Sequence, residues 1–245
     1  MKDFLFNIKS GLKNYNYIFK FKLIWCLPLM VFLIGFDWIS KAIVVSQMQI
    51  EGTKVDFIPG FIRFSYTINP GAAYGMNADN KSLAITIAAL VTLLLIAVFI
   101  FIKNKYWLIP INLMVSGSIA NLLGRAWAPI SKHGVSGGVV DFLEFELWDS
   151  GFIFNLADAW VSIAVGIIVV IFIVYIVLEI FEFNMKKKNQ EKYEFYCDIN
   201  NKKTILFEEY WSKIITKKEE KLSYKDYLLK NKEFKKQWKE YKNKE

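Results

Sequence analysis

Only two cysteines and one histidine occur in the 245 residues. Cys26 sits in an apolar run and Cys197 in a lysine-rich tail, so neither a disulfide framework nor a thiolate metal cluster follows from them. A lone His133 excludes a multi-histidine metal site. No serine or cysteine is suitably paired with it for an acyl-enzyme, and it reads as a solvated loop residue. No metal and no cofactor is called for. Charge is also scarce over long stretches. From Leu23 to Phe183 the chain is mostly apolar, and several uncharged runs reach about 20 residues, enough to cross ~30 Å of hydrocarbon. An ordinary soluble globular domain is excluded. The net charge of +8 reads as membrane topology rather than nucleic-acid binding.

The chain that remains divides into three. Residues 1–22 carry Lys2, Lys9, Lys13, Lys20 and Lys22 among Phe4, Leu5, Ile8, Leu12, Tyr15 and Phe19 at helical spacing. This is the pattern of a basic amphipathic helix on an anionic membrane surface. Residues 23–183 hold four spans. The first, Leu23 to Val45, reads as uncleaved, because no small-residue cleavage site precedes Asp37 and Lys41. Ser82 to Ile102, Trp107 to Leu123 and Leu156 to Phe183 are the others. Between the first two, Ile62, Phe64, Tyr66 and Ile68 alternate with polar residues, flanked by Pro59-Gly60 and Pro70-Gly71. That period of two predicts a strand over 61–68 in a small extramembrane sheet. Residues 124–154 read as a polar loop with several acids. Residues 184–245 form a lysine-rich, partly helical tail.

Basic residues set an orientation. The N-terminal segment, the 103–105 turn and the tail hold 25 lysines together, against five basic residues in the two long loops. The positive-inside rule therefore puts both termini in the cytoplasm and both long loops outside.

Polar residues at the outer ends of the spans stand out against this background. An acid in a spanning helix costs about 2.5–3.5 kcal/mol at the centre and usually marks function. Asp141 lies in the outer loop and Asp158 at the outer start of the fourth span, at similar depth. Two such carboxylates sharing one proton form an acid–base pair, one activating water and the other protonating the leaving group. The plainer alternatives are a helix-dipole role for Asp158 and an exposed loop acid at Asp141, like Glu144 and Glu146. A small transporter using the same acids is a further alternative. Asn121 and Arg125 share one face of the third span, and Asp37 and Lys41 share one face of the first. The latter spacing suits a neutralising ion pair with a structural role. Asn69-Pro70-Gly71-Ala72-Ala73-Tyr74 is a turn of small residues after the strand.

Taken together and in order, five motifs resemble the bacterial lipoprotein signal peptidase (signal peptidase II) family. They are Asp37-Trp38-Ile39-Ser40-Lys41, the Asn69 to Tyr74 turn, Asn121 with Arg125, Val139-Val140-Asp141-Phe142, and Phe154-Asn155-Leu156-Ala157-Asp158. The resemblance implies a mainly α membrane protein of four transmembrane helices with a small extracytoplasmic β-cradle. It implies an aspartic endopeptidase of the cytoplasmic membrane, cutting diacylglyceryl-modified prolipoproteins just before the lipidated cysteine. Its partners would be those substrates and membrane lipids. Carried over by motif, Asp141 and Asp158 are the catalytic pair. Asn69, Gly71, Asn121, Arg125, Asn155 and Ala157 are the surrounding site, and Asp37 and Lys41 its structural support. The chain departs from the family pattern at Ser116-Gly117, Ala120 and Gly124, where the family usually has a Gly-Gly pair, a Gly and an Asp. Its 126–140 loop is longer, and its tail has no counterpart in a typical member. A small channel or transporter with an Asp/Arg ion path, and a non-catalytic membrane scaffold, are the rival readings.

Overall fold

The long apolar runs become four helices long enough to cross a membrane. The computed structural model describes residues 12, 15, 17–48, 50–71, 81–134, 136–147, 152–216 and 222–243. Most of the expected N-terminal amphipathic helix, and Ala72-Ala73-Tyr74, lie outside the described residues. Helix α1 spans Phe19–Met48, α2 Lys81–Phe101, α3 Lys105–Trp127 and α4 Leu156–Lys188. α3 is the central one, with half of its most apolar stretch covered by neighbours. The other three expose rows of Leu, Ile, Val and Phe, as lipid-facing helices do. α1 contains a π turn at Lys22–Cys26, where the Cys26 carbonyl accepts from the buried Asn112 Nδ2 at 3.1 Å. That bond satisfies an amide donor which hydrocarbon could not.

A four-stranded antiparallel sheet adjoins the helix ends. Its strands are β1 (Lys54–Ile58), β2 (Ile62–Asn69), β3 (Val139–Phe145) and β4 (Ile153–Phe154), hydrogen-bonded in that order. β2 is the strand read from alternation. β1, β3 and β4 were hidden in segments that read as loops. Tyr66, Ile68, Val140 and Phe142 pack with Val44, while Val45, Trp127 and Leu156 close the cluster. Because side chains alternate along a strand, Asp141 is turned away from its neighbours Val140 and Phe142. Opposite it in register stands Thr67, with Asn69 facing Val139.

Glu144 is not an exposed loop acid. It is 3% exposed and receives Arg63 at 2.7 and 2.9 Å, with Lys54 beside it. The Arg63 hydrogen bond, helped by Ser65 and Lys54, holds its carboxyl down at about 2 against the opposing effect of burial. Such a group stabilises the sheet at neutral pH, and its contribution fades as pH falls through the acid range towards 2.

Residues 170–245 make up a second compact unit, beginning within α4. α4 runs on to Lys188, and α5 (Gln190–Thr216) begins one residue later, with Asn189 Oδ1 capping the Lys192 amide at 2.9 Å. The Phe181 and Tyr196 rings lie 5.8 Å apart, whereas 15 residues of straight helix would separate them by about 22 Å. The chain therefore bends sharply at Asn189. Helix α6 (Tyr224–Lys242) packs on α5 to form a hairpin. Tyr196, Ile199, Lys203, Leu206 and Tyr210 of α5, and Tyr227, Asn231, Phe234, Trp238 and Tyr241 of α6, recur at three- and four-residue steps. Both rows are covered or half-covered, as in a coiled-coil seam. Phe195 stacks on Tyr241 at 4.4 Å and Tyr210 on Tyr227 at 4.8 Å.

Because the first unit ends at Val169, before this hairpin begins, a chain ending at Lys188 should keep its fold. Its thermal unfolding in detergent is expected to match that of the full-length protein's membrane body. A collapse of that transition would show the hairpin to be part of the first unit's stability.

Candidate active site

α4 begins with Asn155-Leu156-Ala157-Asp158, and the backbone donors at this helix start need partners. Asn155 Oδ1 accepts from the Asp158 amide at 3.0 Å, while Asp158 Oδ2 accepts from the Asn155 amide at 3.2 Å. This reciprocal pair is a capping box, and it fixes the Asp158 carboxylate at the helix mouth. The same Asn155 points its Nδ2 outward to Asp141 Oδ1, at 2.6 Å. One residue therefore holds both carboxylates. Asn155 is fully buried and Asp141 is 2% exposed.

Each carboxylate has a second amide partner. Asn69 Nδ2, at the end of β2, donates to Asp141 Oδ2 at 3.0 Å, and Asn69 Oδ1 accepts from the Gly71 amide at 3.0 Å. Asn121 Nδ2, on α3, donates to Asp158 Oδ1 at 2.8 Å. Asn121 is oriented in turn by Lys41 Nζ, which meets its Oδ1 at 2.9 Å. Lys41 is ion-paired with Asp37 at 2.7 Å, both fully buried, and Asp37 Oδ1 accepts from the Ala157 amide at 2.9 Å. The expected i,i+4 pair on α1 is thus present, and it reaches the site at both ends. Burial, followed by the nearby Asp158 carboxylate, pushes Asp141 up to about 7. The Asn69 and Asn155 amides and the Lys41 charge oppose that shift.

Arg125 lies one turn beyond Asn121 and has a different task. Its guanidinium donates to the Gly137 carbonyl at 3.1 Å, the Pro70 carbonyl at 3.4 Å and the Gly71 carbonyl. It ties the loop before β3 to the turn after β2. The structure thus brings together Asn69, Gly71, Asn121, Arg125, Asp141, Asn155, Ala157, Asp158, Asp37 and Lys41. His133, in the loop turn, is solvent-exposed.

Three positions escape a reading by residue type. Gly138 lies so close to β2 that a Cβ would stand 2.6 Å from Ile68 Cγ2 and 2.9 Å from the Asn69 carbonyl. At Gly117 a Cβ would stand 2.5 Å from the Ala157 carbonyl and 2.8 Å from Val161 Cγ2. Glu51 accepts from the Ile68 amide at 3.1 Å and from the Lys132 amide, bracing the far end of the long loop. Its sequence context, a turn before Gly52, gives no sign of this. Beside the carboxylates opens a cavity of about 1080 Å³, walled by Ile87, Val91 and Leu95 of α2, Met114 of α3, and Val161 and Ile163 of α4. Among the described residues no group of acids, histidines and cysteines could hold a metal.

Substituting the glycines separates close packing from mere smallness. Gly117→Ala is expected to lower stability by about 1–3 kcal/mol, because backbone cannot yield as a side chain can. Gly124→Ala should be nearly neutral, its Cβ meeting Lys41 Nζ at an ordinary 3.6 Å. Thermal unfolding of both variants checks this. Equal effects would mean that the α3–α4 approach at Ala157 is not tight.

A family model described as signal peptidase (SPase) II matches residues 29–175. A lipoprotein signal peptidase of Desulfitobacterium hafniense (strain DSM 10664 / DCB-2) is 29% identical over 143 residues, covering 56% of this chain and 88% of the relative. One from Staphylococcus aureus (strain MRSA252) is 30% identical over 146 residues, covering 58% and 82%. Two solved structures of bacterial membrane enzymes are similar in fold. One has a TM-score of 0.52 at 24% identity over 60% of this chain and 87% of the other. The second has a TM-score of 0.50 at 27% identity, covering 60% and 91%.

Proposed function

The chain belongs to the signal peptidase II family, as an aspartic-type membrane peptidase that removes signal peptides from prolipoproteins, and on that premise we propose that Asp141 and Asp158 are its catalytic pair. The observation that carries the assignment is the bridging Asn155, which binds one oxygen of each carboxylate. Family membership favours the peptidase over the ion-path and scaffold readings.

In this reading the two carboxylates hold one proton between them. The ionised member takes a proton from water as that water attacks the scissile carbonyl. The protonated member donates to the carbonyl oxygen; as the intermediate collapses it takes that proton back, while the first member passes the proton gained from water to the leaving nitrogen. Burial of Asp141 beside a second acid favours a retained proton near neutrality. Asn69 and Asn121 keep the outer oxygens in place, and Arg125, protonated throughout, shapes the backbone around them. The substrate is a diacylglyceryl-modified prolipoprotein cut just before its lipidated cysteine. The apolar cavity suits its greasy part, and membrane anchoring raises the local concentration of the scissile bond at the dyad's depth. The lysine asymmetry supports cytoplasmic termini, with the dyad at the extracytoplasmic face of the bacterial cytoplasmic membrane.

Asp141→Asn and Asp158→Asn should each abolish cleavage of a lipidated preprolipoprotein, and the double variant should be hardly worse than either. Substrate binding, read in parallel, should survive. Substantial turnover by either folded variant would overturn the dyad. The wild-type pH–rate profile should be bell-shaped, its alkaline limb falling near pH 7 as the shared proton is lost. Asn69→Ala removes a bond that favours ionised Asp141, so that limb should move to higher pH. A limb that stays put would remove Asn69 from the site's electrostatics.

Asn155→Ser separates the cap from the clamp. Serine still caps α4, so stability should change by less than about 1 kcal/mol. It does not reproduce the amide donor to Asp141, and turnover should fall by about a hundredfold. Wild-type turnover in this variant would show that Asn155 serves the helix alone.

A further inference from the structure

We infer that the outer face of α6 is a docking surface for an anionic lipid membrane. This helix carries seven lysines and three acids, and they are sorted. At about 100° per residue, Lys225, Lys232, Lys235, Lys236, Lys239 and Lys242 fall on one side. Asp226, Glu233 and Glu240 fall together on another, and the seam with α5 takes the third. All six lysines are exposed, and so are Leu228 and Leu229, which lie among them or at their edge. Glu240 reaches towards this face, 3.6 Å from Lys236. On the seam side Lys203 of α5 stands near Lys235. Burial, and then the nearby Lys235, hold the Lys203 ammonium below its usual range.

Connectivity says what this face meets. α4 is apolar enough to span a membrane and ends in Lys186, Lys187 and Lys188. α5 starts one residue later at a sharp bend, so the hairpin is rooted where a spanning helix leaves the bilayer. A sorted lysine face bearing exposed leucines, tethered at that place, matches acidic headgroups with an apolar layer beneath. Single-stranded RNA would call for exposed aromatic rings beside the lysines. Here Trp238 and Tyr241 stack on Phe195 in the seam, and the exposed apolar groups beside the lysines are chiefly aliphatic. The surface is separate from the peptidase chemistry and does not rest on it.

The test uses the full-length protein in nanodiscs of phosphatidylcholine alone, or of equal parts phosphatidylcholine and phosphatidylglycerol. Chymotrypsin cuts after leucine and aromatic residues, so it reads α6 without depending on lysine. Cleavage within α6 should be about tenfold slower in the anionic discs. The protection should vanish at ~1 M salt, where charges are screened within about 3 Å. The combined Lys232→Gln, Lys235→Gln, Lys236→Gln and Lys239→Gln variant should lose the protection, while matching the wild type in phosphatidylcholine discs. The corresponding four arginine substitutions should keep it, which separates loss of charge from loss of fold. Equal wild-type cleavage in both lipids, or protection that survives in the glutamine variant, would overturn the proposal. So would protection by added single-stranded RNA and not by anionic discs.

Discussion

Asn155 gives its side-chain amide to Asp141 and its backbone amide to Asp158, and the positions of both carboxylates follow from it. Asp141 is almost wholly buried and stands near a second acid, and both conditions oppose its ionisation. The fold answers with neutral amide donors from three elements: Asn69 on β2, Asn121 on α3 and Asn155 at the mouth of α4. Neutral donors orient the acids without neutralising them fully. A direct arginine or lysine partner would favour the ionised form of both.

The nearest buried cation, Lys41, is kept one step away. Its charge is matched by Asp37, and its hydrogen bond towards Asp158 runs through Asn121. A buried ion pair repays its desolvation only when its remaining donors and acceptors are satisfied. Here Asn121 accepts a second bond from Lys41, and the Ala157 amide donates to the other oxygen of Asp37. That amide is one of the orphan donors at the start of α4, so α1 caps the helix that carries Asp158. The helix start is thus capped twice, by its own Asn155 and by Asp37. Gly117 lets α3 close to within a backbone's reach of the same point.

Much of this was legible in the residues. Long apolar runs gave four spans within a few residues of their observed ends, because hydrocarbon thickness dictates their length. The alternation in Ile62 to Ile68 gave β2. β3 was not legible, since Val139 to Phe142 are buried on both faces and show a short run in place of alternation. β1 alternates only over Lys54 to Phe57, too briefly to stand out, and it is exposed throughout. At the site, motif resemblance named the ten residues that the structure brings together. It did not reveal their links. Asn-x-x-Asp was a capping-box signal in plain sight, whereas Asn121's bond to Lys41 joins residues 80 apart. No local rule could supply that contact.

An infrared titration of the Asp141 carboxyl measures the interaction between the two carboxylates most directly. In the wild type a protonated carboxyl band should persist at mildly acidic pH and disappear with a midpoint near 7. In Asp158→Asn the like charge is gone and only burial remains to resist ionisation, so the midpoint should fall towards the ordinary carboxylate range. A midpoint unchanged in Asp158→Asn would show that the two acids titrate independently, and the shared-proton account would be wrong.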